Sequence, residues 1–193
     1  MALGESFDSV LQAARLGADW AVVVLYRDLQ PHVLAYLRSR CPDEAEDLAQ
    51  ETWIDVSRGI ARFEGGETAF RRFVFTVARR RMIDHVRLLT REGRTSRLNE
   101  DLAATVPGGD VEQIAISRLT ADEAVAVLAA NLPPEQVDVI LLRVLGGFTS
   151  SEVAKLIGKR AGAVRAMQAR ALARLAEALP REEVADPRQE ARL

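Results

Sequence analysis

The chain has 193 residues, of which 48% are hydrophobic and 28% charged, and this composition is typical of a globular protein with one large or two small domains. One cysteine excludes an internal disulfide framework, and only two histidines argue against a structural zinc site. No apolar run is long enough to span a membrane and no signal-peptide pattern opens the chain, so we expect a cytoplasmic protein without membrane insertion, metal or cofactor.

The net charge of −2 conceals two basic segments. Residues 71–97 carry 9 basic and 2 acidic side chains, and residues 148–179 carry 6 and 2. The stretches before and between these segments are acidic. Two separate basic patches indicate that the protein binds one polyanion at two places.

Apolar residues recur at helical spacing and strand patterns are nearly absent, so we predict an all-α fold. In the N-terminal half, the pattern predicts helices over Phe7–Leu16 and Asp19–Arg40. A third helix is predicted from an N-cap at Asp43 to about Arg58, and a fourth from Ala69 to about Leu89. Residues 1–89 then form the first domain.

The third predicted helix separates an apolar stripe from an acidic face. Asp43 and Glu46 have the spacing of a capping box at its start. The outward residues are Asp47, Gln50, Glu51 and Asp55. Because no histidine lies nearby and the helix dipole already explains the first carboxylates, this face favours a protein-docking surface over a catalytic or metal site.

The fourth predicted helix begins with a buried stripe containing Phe70 and Phe73 and continues into a cluster of arginines. Arginines beside aromatic residues suit single-stranded nucleic acid. The alternative is that the phenylalanines belong to the core and the arginines are solvated. Because like charges on one helix repel, we favour an anionic partner for the arginines and the core for the phenylalanines.

Residues 90–109 are polar and aperiodic, and we predict that they link the first domain to a second domain over residues 110–179, followed by a polar tail over 180–193. In the second domain, one helix is predicted from Asp110 to about Ala130 and another from Pro134 to the Gly146–Gly147 pair. The predicted inner face of the latter helix consists of Val137, Ile140, Leu141 and Val144.

The last elements have the spacing of a helix-turn-helix. Thr149 and Glu152 form a capping box that opens a short helix ending at Ile157, and after a glycine turn a long helix runs over Ala161–Leu179. Its predicted inner face is Val164, Met167, Ala171, Leu172 and Leu175. Its outer face is Arg165, Ala166, Ala169 and Arg170. Small residues between arginines suit a major groove, whereas the alternative is a basic amphipathic helix within a bundle.

Four segments, taken in order, resemble bacterial RNA polymerase sigma factors of the extracytoplasmic-function (ECF) group of the sigma-70 family. They correspond to regions 2.2, 2.3–2.4, 4.1 and 4.2 of that family and are Asp43–Trp53, Phe70–Arg87, Leu132–Gly147 and Ser151–Leu172. The resemblance implies two small helical domains joined by a flexible linker that runs through the RNA exit path. It further implies a non-enzymatic promoter-specificity subunit whose partners are core RNA polymerase, promoter DNA and an anti-sigma factor.

The resemblance also implies roles for individual residues. Those expected to dock on the clamp helices of the largest polymerase subunit are Asp47, Gln50, Glu51 and Asp55. Those expected to hold the unwound −10 strand are Arg62, Phe63, Arg79, Arg80, Asp84, His85 and Arg87. Those expected to contact the −35 element are Arg160, Gly162, Ala163, Arg165, Ala166, Ala169 and Arg170.

Two other functions stay open at this point. A polymerase-independent helix-turn-helix regulator would use the C-terminal helices as a dimer on paired half-sites. A helical scaffold or enzyme is the third possibility, although no catalytic constellation supports it. The charge pattern adds one hypothesis about the free protein, in which acidic and basic segments pack together and hide the DNA-binding surfaces.

Overall fold

The computed structural model describes residues 3–91 and 121–178, and over these ranges the regular structure is entirely helical, as predicted. A short 3₁₀ turn at Gly4–Ser6 precedes the first α-helix. The helices are α1 (Phe7–Arg15), α2 (Asp19–Arg38), α3 (Ala45–Ile60), α4 (Glu67–Arg91), α5 (Ala121–Asn131), α6 (Pro134–Val144), α7 (Ser150–Ile157) and α8 (Ala161–Ala178). The predicted helix start at Asp110, most of the linker and the tail lie outside the described residues.

Helices α1–α4 form an N-terminal unit around a core that includes Tyr36, Phe70, Phe75 and Met82. The helices α3 and α4 pack closely because Gly59 lies directly against the Phe73 ring, where an added Cβ would come within 2.8 Å of the ring. Helix α4 begins two residues earlier than predicted. The Glu67 side chain in its first turn accepts hydrogen bonds from the backbone N–H groups of Leu3 and Gly4.

The capping box predicted at Asp43 and Glu46 is wrong. Helix α3 begins at Ala45 after a turn, and its N-cap residue, Glu44, makes no capping hydrogen bond through its side chain. The carboxylate of Glu46 instead accepts a hydrogen bond of 2.7 Å from Arg38 at the end of α2, and this bond lowers the pKa of Glu46. An ion pair with a neighbouring helix has therefore replaced the local cap.

Helices α5–α8 form the C-terminal unit, and here the local signals are confirmed. Pro134 opens α6, as its fixed φ angle favours. Thr149 and Glu152 make the predicted reciprocal capping box at the start of α7. Gly158 ends α7 in the left-handed conformation with φ 68°, which suits glycine, and α8 follows to complete the helix-turn-helix.

The two units pack against each other in this structure and share a continuous core. Helix α5 lies on α2, and α6 is enclosed by α8 on one side and by the N-terminal unit on the other. As a result α6 is buried nearly all round, including the polar residues Gln136 and Asp138. The prediction that Val144 lies inside is wrong, because this last residue of α6 extends past the packing and is 71% exposed.

Candidate nucleic-acid and protein interfaces

The acidic face of α3 (Asp47, Gln50, Glu51 and Asp55) is on the surface, as the sequence indicated, but part of it is already ion-paired. Arg81 of α4 donates hydrogen bonds to Asp55 at 2.8 and 2.5 Å and to Glu51 at 3.1 Å. The hydrogen bond to Asp55 contributes most to raising the pKa of the Arg81 guanidinium. Arg81 therefore links this acidic face to the helix that carries the first basic patch.

The other half of the acidic face is available to a partner. Asp47 and Gln50 are exposed, and their side chains make no hydrogen bond or ion pair with any described residue. Ile54 lies on the same side of α3 and is 50% exposed. An apolar side chain surrounded by exposed polar groups is the usual composition of a protein-docking surface. Sequence reasoning missed Ile54, although its spacing from Gln50 and Asp47 would have placed it there.

The basic surface of α4 consists of Arg80, Asp84 and Arg87, which lie together on the exposed side of the helix. Their ion pairs are loose, with Arg80 at 3.8 Å and Arg87 at 3.7 Å from the Asp84 carboxylate. The two arginine side chains are 79% and 69% exposed. Because exposed ion pairs contribute little free energy, both guanidinium groups can exchange Asp84 for an external phosphate at small cost.

The remaining residues predicted to bind the −10 strand differ in their surroundings. Arg62 is exposed in the loop before α4. Phe63 is half-buried, and its ring stacks on Phe73 at a centroid distance of 5.4 Å. His85 is half-buried 3.8 Å from Glu44, and its Nε2 has no hydrogen-bond partner among the described residues. Arg79 is only 17% exposed and pairs with Asp138 of α6.

The predicted outward face of α8 is exposed in the structure over its whole length. This surface, the α8 basic face, comprises Arg165, Ala166, Ala169 and Arg170, and the residues leading into it are exposed as well, namely Arg160, Gly162 and Ala163. Val164, Met167 and Ala171 are buried on the opposite side. Leu172 was assigned wrongly to that inner side, since it is 52% exposed. It is rotated by about 80° from Val164 around the helix axis, toward Arg165.

Sequence reasoning missed one set of polar residues altogether. Tyr36 of α2 and Arg79 of α4 both hydrogen-bond to the carboxylate of Asp138. Arg72 of α4 bonds to Gly147 and Glu152 near the start of α7. The available signal was Asp138 itself, a charged residue within the apolar run of α6, but the sequence did not indicate its partners.

Neither a membrane-spanning helix nor a metal-binding cluster is found within the part of the chain that the structure describes. No helix there is both long and apolar enough to cross a bilayer. No three His, Cys, Asp or Glu side chains there are grouped so that they could hold a metal ion.

Two family models match the chain in the order of its two units. The model described as Sigma-70 region 2 matches residues 25–92, and the model described as Sigma-70, region 4 matches residues 122–175. The first therefore covers α3 and α4 with both surfaces of the N-terminal unit, and the second covers the helix-turn-helix.

Curated relatives and one solved structure agree with these matches. The chain is 34% identical to the ECF RNA polymerase sigma factor ShbA of Streptomyces griseus over 159 residues, which cover 78% of this chain and 83% of that protein. It is 29% identical to the ECF RNA polymerase sigma factor SigD of Mycobacterium tuberculosis over 188 residues, covering 89% of this chain and 83% of the relative. A structure of CnrH in complex with the cytosolic domain of CnrY has a similar fold, with a TM-score of 0.57, 21% identity and coverage of 90% of this chain and 97% of that one.

Proposed function

This chain belongs to the extracytoplasmic-function sigma factors of the sigma-70 family, and we propose which of its surfaces contacts each partner. As an ECF sigma factor it binds core RNA polymerase and directs promoter recognition and transcription initiation. Sigma factors are initiation factors that act on transcription through binding, and we propose that this chain likewise has no catalytic activity of its own.

The acidic face of α3 docks on the clamp helices of the largest polymerase subunit. The observation that carries this assignment is the exposed group of Asp47, Gln50 and Ile54. The polar side chains of Asp47 and Gln50 make no hydrogen bond or ion pair with any described residue, and the apolar side chain of Ile54 is half exposed. Glu51 and Asp55 extend the same face and can exchange Arg81 for basic groups of the polymerase. Complementary charge at such a surface speeds association and sets the orientation of the complex.

The two basic surfaces bind one promoter. The basic surface of α4, with Arg62 and Phe63 before it, holds the unwound −10 strand, because exposed guanidinium groups neutralise phosphates and aromatic rings stack on bases. Arg79 completes this site once it separates from Asp138, and His85 adds an imidazole whose Nε2 has no hydrogen-bond partner among the described residues. The α8 basic face contacts the −35 element, where Arg165 and Arg170 can read base edges and the alanines allow a close approach.

The domain boundaries and the regulator belong to the same proposal. Residues 1–89 serve polymerase and the −10 element, residues 110–179 serve the −35 element, and the segment over 90–109 runs through the RNA exit path. We further propose an anti-sigma factor as regulator. The similarity in fold to CnrH, which was solved in complex with the cytosolic domain of CnrY, supports a protein partner of that kind.

The test is binding to core RNA polymerase, measured by co-elution in gel filtration and by titration. Asp47→Lys/Glu51→Lys is expected to weaken binding at least about tenfold, because two attractive contacts become repulsive. The matched control, Asp8→Lys/Glu177→Lys, makes the same change in net charge at two exposed sites away from α3 and should bind like the unmodified protein.

Two results would change this assignment. Equal affinity of the charge-reversed and unmodified proteins would show that the docking surface lies elsewhere. If the unmodified protein did not co-elute with core polymerase yet bound duplex DNA tightly, the polymerase-independent regulator would be the better description. No observation favours that alternative now, since it leaves the acidic face of α3 and the basic surface of α4 without a role.

A further inference from the structure

A buried carboxylate joins the two units of the protein. Asp138 of α6 is 6% exposed and accepts a hydrogen bond of 2.6 Å from the hydroxyl of Tyr36, a fully buried residue of α2. Its other oxygen accepts a hydrogen bond of 3.0 Å from Nε of Arg79. A buried charge is tolerated only when it is paired and hydrogen-bonded, so this carboxylate depends on groups from the other unit.

A second set of contacts reinforces the first. Arg72, almost two turns before Arg79 on α4, donates hydrogen bonds of 3.1 and 2.9 Å to the carbonyl of Gly147 and bonds to the Glu152 carboxylate. Arg79 also donates a hydrogen bond of 3.2 Å to the carbonyl of Leu156 at the end of α7. Helix α4, which carries the first basic surface, is thereby held against the helix-turn-helix.

This arrangement cannot bind both promoter elements at once. Leu156 precedes Ala161, the first residue of α8, by five positions, so a chain of that length keeps the start of α8 within roughly 18 Å of the Leu156 backbone and hence close to Arg79. The −35 and −10 elements are named for positions about 25 base pairs apart, or roughly 85 Å of duplex at about 3.4 Å per pair. The contacts between the units must therefore break before the two surfaces reach one promoter.

We propose that Asp138 holds the free protein in a closed conformation that cannot bind both promoter elements at once, with its carboxylate occupying at Arg79 the place of a promoter phosphate. The inference rests on the proposed −10 role of α4. Polymerase and promoter then bind the open form, and the free energy of that binding offsets the loss of the contacts of Asp138. The α8 basic face stays exposed in the closed form, so closure prevents Arg79 from binding DNA and limits the reach of the two units without covering the −35 surface.

Energy transfer between two dyes on the full-length protein tests the closed form directly. The dyes are attached at Gln12→Cys on α1 and Glu177→Cys on α8, both exposed sites, while the native thiol of Cys41 is buried and unavailable to the reagents. Asp138→Asn keeps the size of the side chain and removes its charge. It should lower the transfer efficiency and raise the ratio of open to closed molecules roughly tenfold, the loss expected for one charge-assisted hydrogen bond.

A matched control and a second variant keep the test decisive. Glu135→Gln removes a carboxylate from the same helix, but Glu135 pairs with Lys159 inside the C-terminal unit, so the transfer efficiency should not change. Arg72→Gln removes the contacts of α4 with Gly147 and Glu152 and should also lower the transfer efficiency. It replaces Asp138→Asn in the test if circular dichroism shows that Asp138→Asn does not fold. Unchanged transfer in the folded Asp138 and Arg72 variants would overturn the proposal.

The same labelled protein separates this proposal from the proposed function. Adding core RNA polymerase should lower the transfer efficiency of the unmodified protein as the complex forms. If polymerase bound and the transfer efficiency did not fall, the requirement that the two units separate in the complex would be contradicted. Failure of polymerase to bind would contradict the sigma-factor function instead, while the comparison of variants in the free protein would still decide whether Asp138 closes it.

Discussion

Cys41 shows how a single residue in this chain is controlled by its surroundings. The side chain is fully buried where α2 passes into the turn before α3. Burial raises the pKa of its thiol from 9.0 to about 11, and the nearby carboxylate of Glu44 adds to this rise. The thiol is therefore protonated near neutral pH, whereas a reactive or redox-sensing cysteine needs an accessible thiolate. Cys41 is a packing residue of the core.

This raised pKa predicts a loss of stability at alkaline pH. The folded-state pKa lies above the ordinary value, so the contribution of the thiol is complete below about pH 9 and is lost as the pH rises through about 11. We expect the free energy of unfolding to fall by at most about 2–3 kcal/mol from this group. Urea unfolding at about pH 8 and about pH 11 measures the loss.

Cys41→Ala provides the comparison, because tyrosines and lysines also titrate in this range. The variant lowers stability at both pH values through lost packing, but the difference between the two values should be smaller than in the unmodified protein. An equal pH dependence in the two proteins would show that the thiol ionises as readily in the folded chain as in the unfolded one.

At the level of helices, the sequence predicted best what depends on neighbouring residues. The capping box of Thr149, the proline at the start of α6 and the glycine after α7 are confirmed, and each acts within four residues of its own position. The predicted capping box at Asp43 is wrong, because the Glu46 carboxylate accepts a hydrogen bond from Arg38 on another helix. A local capping preference is overridden where a residue from another helix can form an ion pair with the same side chain.

In the candidate surfaces too, the features that depend on local spacing could be predicted, and those that depend on distant contacts could not. The exposed faces of α3 and α8 follow from helical periodicity, and the structure has them where the spacing predicted. The surroundings of Arg79 could not be predicted, because its partner Asp138 is 59 positions away and Tyr36 is 102 positions from that same carboxylate. Contacts at such separations depend on how the two units pack, which no local pattern records.

The Thr149 cap yields a prediction for the helix-turn-helix. The hydroxyl of Thr149 accepts the backbone N–H of Glu152 at 3.3 Å, and the Glu152 carboxylate accepts the backbone N–H of Thr149 at 2.7 Å. Thr149→Ala should lower the free energy of unfolding by about 1 kcal/mol, as urea unfolding would measure. Ser151→Ala, in the same helical turn but with no side-chain bond among the described residues, should change it by less than about 0.5 kcal/mol. Equal effects of the two substitutions would show that the cap adds nothing.

For the whole molecule, the relevant property is that one chain carries both of the surfaces that we propose to bind DNA. Twenty-nine residues lie between Arg91 and Ala121, and a polypeptide of that length spans at most roughly 105 Å, which exceeds the distance between the promoter elements. Once one surface is bound, the other is held at high effective concentration near its own element. Each surface can therefore be weak alone and still contribute fully to the complex.

This coupling predicts how promoter affinity responds to loss of charge on either surface. In the polymerase complex, Arg80→Gln/Arg87→Gln and Arg165→Gln/Arg170→Gln should each weaken promoter binding, and the two free-energy losses should add when combined, because the sites are distant. Each pair should also reduce the slope of log affinity against log salt by roughly 1–2, because binding releases fewer counterions from the DNA when phosphate contacts are lost. Filter binding over a range of salt concentrations measures both quantities.

Arg15→Gln/Arg27→Gln is the matched control, because it removes two exposed charges from α1 and α2, outside both surfaces, and should leave the slope unchanged. The −10 pair is the more decisive of the two. A helix-turn-helix regulator acting without polymerase would lose affinity only through Arg165 and Arg170, so an intact salt slope in Arg80→Gln/Arg87→Gln would argue that α4 never touches the promoter. A reduced slope in both pairs, with additive losses, requires a single complex in which α4 and α8 contact one promoter, whose −10 and −35 elements the closed form cannot reach together.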